Sequence, residues 1–212
     1  MNIYEKLEKE VRRHFHGARG SHGWEHTERV LDAASLIAKK ENANLKTVRL
    51  AAILHDIARE LEDRSKGRIE HASKGAQMSL PILIKFGVDK NTAAAVSECI
   101  ASHRFRGNTA PKTLEAKILF DADKLDSIGA VGIARAFLFA GEVGAMLHNN
   151  GADLSKTRAY SRQDTAWREF NVKLKHIKSR MLTKTGRRLA NERHDFMKVF
   201  FDRLNKEVCG KL

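Results

Sequence analysis

Apolar residues recur every three or four positions over most of this chain, and this spacing constrains the fold more than any other feature. In residues 2–16, for example, Ile3, Leu7, Val11 and Phe15 lie four residues apart, which places them on one face of a helix. The 212 residues include only two prolines, so few positions would interrupt such helices. We therefore predict an all-α fold.

The same spacing, together with capping residues and glycines, predicts where the helices begin and end. Thr47 and Asp89 are the predicted caps of the third and fifth helices, and Pro81 is predicted to bend the fourth. Four residues near the chain's end, Phe196, Met197, Phe200 and Phe201, are predicted to lie in the core. The predicted helices are 2–16, 24–40, 47–60, 71–87, 89–103, 113–141 with an interruption at 127–132, 161–182 and 187–208.

The length suits one folded unit with a substantial core. We predict that residues 1–212 form a single all-helical unit. Within it, residues 20–140 would form the helical bundle and residues 155–208 a basic C-terminal helical extension.

The positive charge of the chain is concentrated in its C-terminal part. The formal net charge is +13, and from Ser155 onward there are 16 Lys or Arg against 6 Asp or Glu. Such a region could bind nucleic acid weakly through phosphate contacts, although a solvated helical face is the preferred interpretation. No basic motif interleaved with aromatic residues and no zinc-finger spacing is present, so we do not expect sequence-specific recognition.

The two cysteines, Cys99 and Cys209, lack the spacing of a disulfide framework or a thiolate zinc site, which favours a reducing compartment. No apolar run approaches the roughly 20 residues needed to cross a bilayer. The first residues are charged and amphipathic, unlike a signal peptide. We therefore expect a cytosolic protein that does not bind membranes.

A His-Asp doublet lies within an apolar segment, between AAIL and IA. Burying the Asp56 carboxylate there costs several kcal/mol unless a partner compensates it, and a divalent cation could do so while also binding the lone pair of His55. A doublet alone is weak evidence, because His194 and Asp195 form another that we attribute to chance. His26 strengthens the case, since it lies on the core-facing stripe of its predicted helix.

Several blocks of the sequence extend this pattern from one doublet to most of the chain. Together they resemble the HD superfamily of metal-dependent phosphohydrolases, and in particular a bacterial subgroup of HD-domain hydrolases. Its pattern is a histidine, a His-Asp doublet and a distant aspartate. The blocks are SHGWEHTERV, LAAILHDIAR, EHASKGA, EAKILFDADKLDSIGAVGIARAF, TAWREFNVKL and RRLANERHDFMKVFFDRL.

This resemblance implies an HD-type metal-binding core in residues 20–140. The implied cofactor is a divalent transition metal, Mn, Fe, Zn, Co or Ni, with Mg as a further option. Coordination positions left open would admit water and a phosphate oxygen. Asp123 is preferred to Asp121 and Asp126 because it immediately precedes the lysine of the D-x-D-K sequence, although these neighbours could exchange roles. The four implied metal ligands are His26, His55, Asp56 and Asp123.

The resemblance also implies roles for further polar residues. Lys124 and Asp126 are the expected catalytic residues, the lysine neutralising charge on the phosphate. His71 and His103 could contact substrate, carry protons or hold a second metal. The expected substrate contacts are His22, Arg29, His71, His103 and Arg135. Two of these have structural alternatives: Arg29 and Arg135 could pair with buried aspartates. His22 could cap a helix.

The expected reaction is hydrolysis of a phosphate ester or anhydride, in a nucleotide or small phosphorylated metabolite, by metal-activated water. Two alternatives stay open. A two-iron oxygenase could use the set His26, His55, Asp56, His71, His103 and Asp123. A non-catalytic HD protein could bind a nucleotide or nucleic acid without turnover.

Overall fold

The computed structural model describes residues 2–15, 23–104 and 109–211, and the regular elements within these ranges are all helical. The all-α prediction is confirmed. Short 3-10 turns lie at residues 13–15, 154–156, 174–176 and 178–180. The α-helices are α1 (Ile3–Arg12), α2 (Trp24–Lys40), α3 (Leu45–Leu54), α4 (Arg59–Arg64), α5 (His71–Lys85), α6 (Lys90–Ser102), α7 (Leu114–Leu125), α8 (Gly129–Glu142), α9 (Ala166–Val172) and α10 (Lys184–Val208).

The chain divides into two compact units, Met1–Asp123 and Lys124–Leu212, and each is described by itself. The predicted division into a 20–140 bundle and a 155–208 extension stays a prediction. Among the described residues, no helix is both long and apolar enough to span a membrane.

Helix α3 is the centre of the N-terminal unit. It packs against α1, α2 and α6, and α6 packs in turn against α5. A helix that is apolar on nearly every side must be covered by neighbours, and its residues from Leu50 to Leu54 are fully buried. The chain that leaves α3 therefore emerges in the interior of the unit, where His55 and Asp56 follow.

The caps explain where these helices begin. Asn44 accepts a hydrogen bond from the backbone N–H of Thr47 at 3.1 Å, so α3 begins at Leu45 and the prediction of a Thr47 cap is wrong. A side-chain acceptor three residues earlier satisfies a free N–H of the first turn. The predicted cap at Asp89 is confirmed, because its carboxylate accepts from the N–H of Thr92 at 2.9 Å.

His55 and Asp56 lie in a turn, and the prediction that they lie inside a helix is wrong. Helix α3 ends at Leu54 and α4 begins at Arg59. Between them the N–H of Ile57 donates to the Leu54 carbonyl, and the N–H of Arg59 to the Asp56 carbonyl. The apolar pattern runs unbroken through this tight turn, so spacing alone gave no sign of it.

In the C-terminal unit, α8 packs against α9 and α10. The predicted interruption is present but shorter than predicted, since α7 ends at Leu125 and α8 begins at Gly129. Gly132 is required in the first turn of α8, because a Cβ would lie 2.3 Å from the Ser127 carbonyl oxygen. The predicted helix 161–182 is wrong, since only α9 and two 3-10 turns form. Asp164 accepts from the N–H of Tyr160, and such local side-chain bonds compete with helix formation.

Helix α10 buries a stripe that includes Ala190, His194, Met197 and Phe201. The spacing of four, three and four residues defines one helix face. Phe196 falls outside this stripe and is 51% exposed, so the prediction that it lies in the core is wrong. Some basic residues of this unit form ion pairs, for example Arg188 with Glu192.

Candidate metal centre

Five segments of the N-terminal unit bring six metal-binding side chains together. Helix α2 contributes one histidine, the turn after α3 the doublet, the start of α5 and the end of α6 one histidine each, and α7 an aspartate. The side chains form two groups, and within each group the ligand atoms lie within 4.8 Å of one another. The first group is His26, His55 and Asp123, and the second is Asp56, His71 and His103.

The first group is centred on His26. Its Nε2 lies 3.3 Å from Nε2 of His55 and 3.3 Å from Oδ1 of Asp123. Ligands bound about 2.1 Å from one ion stand about 3.0 to 3.4 Å apart when they occupy adjacent positions. Both histidines are buried, whereas the Asp123 side chain is 16% exposed, so solvent reaches the group at Asp123.

The second group lies on the other side of the Asp56 carboxylate. Oδ1 of Asp56 is 3.5 Å from Nε2 of His71 and 3.7 Å from Nε2 of His103, and the two imidazole nitrogens are 3.2 Å apart. Oδ2 of Asp56 faces the first group instead, at 3.7 Å from Nε2 of His55 and 3.8 Å from Nε2 of His26. One carboxylate therefore serves both groups.

Hydrogen bonds at the far side of the rings determine which nitrogens are free for a metal. Nδ1 of His55 lies 2.8 Å from the Ala52 carbonyl, and Nδ1 of His103 lies 2.6 Å from the Ile100 carbonyl. A carbonyl accepts only, so each Nδ1 must carry a proton, and a ring that carries no second proton keeps its lone pair on Nε2. Lone pairs that face one another in a buried site repel unless a cation lies between them, so the donor set fits a metal ion.

Burial sets the charge of these groups. It lowers the pKa of His55 to about 4, against the opposing effect of Asp56, so the ring is neutral at pH 7 and able to bind a metal. Burial opposes ionisation of Asp56, but the four surrounding imidazoles outweigh it and hold its pKa well below the usual range. Burial also lowers the pKa of His71. Neutral imidazoles beside a carboxylate are the protonation states that metal binding requires.

Residues 23–128 match the HD domain family. The chain belongs to the HD-domain family. This confirms the resemblance noted in the sequence, and together with the two His/Asp groups it indicates a metal-dependent hydrolase.

Other HD proteins are similar to this one over nearly the whole chain. The uncharacterised Bacillus subtilis protein YpgQ is 39% identical over 193 residues, which cover 89% of this chain and 85% of YpgQ. The structure of YpgQ in complex with ADP has a TM-score of 0.76 and 35% identity, covering 99% of this chain and 100% of that one. A predicted HD-superfamily hydrolase from an uncultured Thermotogales bacterium has a TM-score of 0.69 and 30% identity, covering 98% and 99%.

The structure brings all four predicted ligands of this HD protein together, and adds His71 and His103. The prediction for those two histidines left a second metal open beside substrate contact, and their position in the second group favours the metal. Arg29 lies half-buried in α2, three residues after His26. His22 lies outside the described residues.

The remaining predicted residues belong to the C-terminal unit. Lys124 and Asp126 are buried. Nη1 of Arg135 donates to Oδ2 of Asp126 at 2.7 Å and to its carbonyl oxygen at 3.2 Å. The alternative considered for Arg135, an ion pair with a buried aspartate, is therefore the one that forms, and the catalytic roles of Lys124 and Asp126 stay predictions.

Sequence reasoning missed one residue of this centre, Glu62. Its carboxylate is buried and lies 2.8 Å from Nδ1 of His71. The segment RELEDR of α4 is strongly charged and resembles a solvated helix face. The sequence pattern therefore gives little indication that Glu62 is buried. Its position six residues after Asp56, on the inward side of the short helix, was the available signal.

Proposed function

We propose that this HD protein is a metal-dependent phosphohydrolase that cleaves a phosphate ester or anhydride of a nucleotide or another small phosphorylated metabolite. The observation that carries the proposal is the Asp56 carboxylate, whose two oxygens face two different ligand groups. A carboxylate shared between two adjacent cation sites suits phosphoryl chemistry, because attacking and leaving oxygens can be bound at the same time.

A nucleotide is the substrate class that we favour. YpgQ is 35% identical to this chain in its structure with ADP. An adenine nucleotide carries the phosphate groups that a centre of this kind would act on.

In this proposal, His26, His55, Asp123 and Asp56 would hold one divalent ion. His71, His103 and Asp56 would hold a second. Imidazole and carboxylate ligands together suit Mn, Fe, Co, Ni or Zn, with Mg as a weaker candidate. When bound, such ions lower the pKa of a coordinated water and polarise phosphoryl oxygens.

The protein's own side chains supply position and charge. During hydrolysis the water oxygen bonds to phosphorus and gives up a proton, the bond from phosphorus to the leaving oxygen breaks, and the leaving oxygen takes up a proton. Asp56 and Asp123 supply negative charge at the centre, and the neutral imidazoles supply lone pairs without adding charge. We propose that Lys124 and Arg29 offset the charge of the phosphate, and that Asp126 acts as a catalytic carboxylate held by Arg135.

The test is a screen of the metal-free protein, reconstituted with Mn²⁺ or Co²⁺, against nucleoside mono-, di- and triphosphates and sugar phosphates. We expect release of phosphate or pyrophosphate from at least one nucleotide, and loss of that turnover in His55→Ala. The matched control is His176→Ala, at an exposed histidine of the C-terminal unit. Full activity in His55→Ala, or no turnover by a metal-loaded protein, would contradict the proposal.

A two-iron oxygenase is the second candidate, because all six side chains that it would need converge on one centre. The same screen separates the two functions when it is repeated without oxygen. Phosphate release that is unaffected by removing oxygen supports the hydrolase. Turnover that requires both iron and oxygen supports the oxygenase.

A further inference from the structure

Three histidines of the metal centre, His55, His71 and His103, differ in the kind of acceptor that faces Nδ1. His55 and His103 each face a backbone carbonyl, of Ala52 and Ile100 respectively. His71 faces a carboxylate instead, Oε2 of Glu62 at 2.8 Å. A carboxylate bears a full charge, so it holds the Nδ1 proton more strongly and makes the opposite nitrogen a better metal ligand.

Two arginines make it possible for Glu62 to be buried as a carboxylate. The residue is 7% exposed, and a carboxylate at that depth needs compensation. Nη1 of Arg59 lies 3.0 Å from Oε2, and Nη1 of Arg104 lies 3.1 Å from Oε1. Both carboxylate oxygens are therefore engaged, and the Glu62 side chain has a fixed orientation toward the imidazole.

The same arginine also ties Glu62 to the beginning of α5. Nη1 of Arg104 lies 3.2 Å from Oε1 of Glu70, and Glu70 caps α5 by accepting from the N–H of Ser73 at 2.7 Å. His71 is the first residue of that helix. Its backbone is thus fixed by the cap, and its ring by Glu62.

We propose that Glu62 is a positioning residue that sets the metal affinity of the second group, Asp56, His71 and His103, and leaves the first group unaffected. It acts by holding the His71 ring with Nε2 directed at Oδ1 of Asp56 and Nε2 of His103. The inference rests on the metal centre of the proposed function, but metal binding is measured without any substrate.

The test is Glu62→Gln, which keeps the shape of the side chain and a carbonyl acceptor for Nδ1 and removes the charge. Mn²⁺ binding to metal-free protein is measured by calorimetry, and bound metal is counted after desalting. The wild type should bind two ions per chain. In Glu62→Gln the second binding step should weaken by about 10- to 100-fold, the usual effect of losing a partner of a metal ligand, and the first should not change.

The matched control is Asp63→Asn, the neighbouring residue on α4. Oδ1 of Asp63 lies 3.9 Å from Nε of Arg59, so this change weakens an ion pair of the same arginine. It leaves the contact between Glu62 and His71 in place. Both binding steps of Asp63→Asn should match the wild type.

A spectroscopic measurement separates positioning from a general loss of structure. Two Mn²⁺ ions that share a carboxylate give an exchange-coupled electron paramagnetic resonance signal. At metal concentrations that fill both groups of the wild type, Glu62→Gln should show an isolated Mn²⁺ signal. The unfolding temperature of the metal-free variant should stay near that of the wild type.

The possible failures are distinguishable. A wild type that binds a single ion overturns the two-metal centre itself. A wild type that binds two ions, with Glu62→Gln binding both equally well, overturns the role of Glu62 alone. Equal losses in Glu62→Gln and Asp63→Asn also overturn it, because the effect would then come from Arg59 and not from the imidazole.

Discussion

The sequence contains two His-Asp doublets, and their surroundings differ completely. His55 and Asp56 lie in a turn after α3, where Nε2 of one and Oδ2 of the other come within 3.7 Å and both are buried. His194 and Asp195 lie in the middle of α10, where successive side chains point about 100° apart. His194 is buried and Asp195 is exposed, so the second doublet cannot act as one site.

The difference extends to how buried charges are neutralised in the two units. In the C-terminal unit, Asp164 is buried against Nη1 of Arg168 at 2.7 Å, and Asp126 against Arg135. Both members of each pair lie in the C-terminal unit. Asp56 instead faces four imidazoles, and burial lowers the pKa of two of them, His55 and His71. Of these three buried carboxylates, the one that faces possible metal ligands belongs to the candidate metal centre, and the two that face arginines do not.

The largest expected effect comes from changing Asp56 at the first doublet. Because its two oxygens serve both groups, Asp56→Asn should lower bound metal below one ion per chain. We expect turnover to fall by more than about 100-fold, beyond the loss caused by removing a partner outside the ligand set. Metal counting and phosphate release measure the two effects.

The matched control is Asp195→Asn, the same substitution at the second doublet. It should leave metal content and turnover at the wild-type level, since Asp195 is exposed on α10. Equal losses from the two substitutions would remove the distinction between the doublets.

A smaller effect, confined to stability, is expected from the buried pair of the C-terminal unit. Asp164→Ala leaves Arg168 without its carboxylate and the N–H of Tyr160 without its acceptor. Breaking a buried pair in this way costs about 3 kcal/mol, which urea unfolding measures. Metal stoichiometry should not change, and a loss of bound metal would contradict the view that this ion pair contributes to stability alone.

The smallest effect concerns acid sensitivity at the second doublet. Burial lowers the pKa of His194 from 6.5, and Lys178 lowers it further against the opposing effect of Asp195. The unfolded chain therefore binds a proton more readily below about pH 6.5, and His194 makes the folded protein less stable as the pH falls through that range. His194→Gln cannot titrate, so its unfolding temperature should fall less between pH 7.5 and 5.5. Parallel curves for wild type and variant would contradict this.

Much of the helical framework followed from the sequence. The bounds of α2 and the cap of α6 at Asp89 are as predicted, because both depend on local spacing and on a side chain within three residues. The segment 161–182 shows where such reasoning failed. Its helical spacing is real, but Asp164 and Arg168 bond to neighbouring loop residues, and that competition depends on parts of the chain that spacing does not consider.

What the sequence determined by itself was the set of chemically capable residues, together with the apolar surroundings that force Asp56 to find a partner. What only the tertiary structure decided was how those residues combine. The sharing of Asp56 between two groups depends on distances between segments far apart in the chain. The turn after α3 and the Glu62 carboxylate beside His71 are closer in sequence, but both depend on how the short segments between helices fold. Local pattern specifies which residues face the core, but only the packing of α2, α3, α5 and α6 brings their atoms within ligand distance.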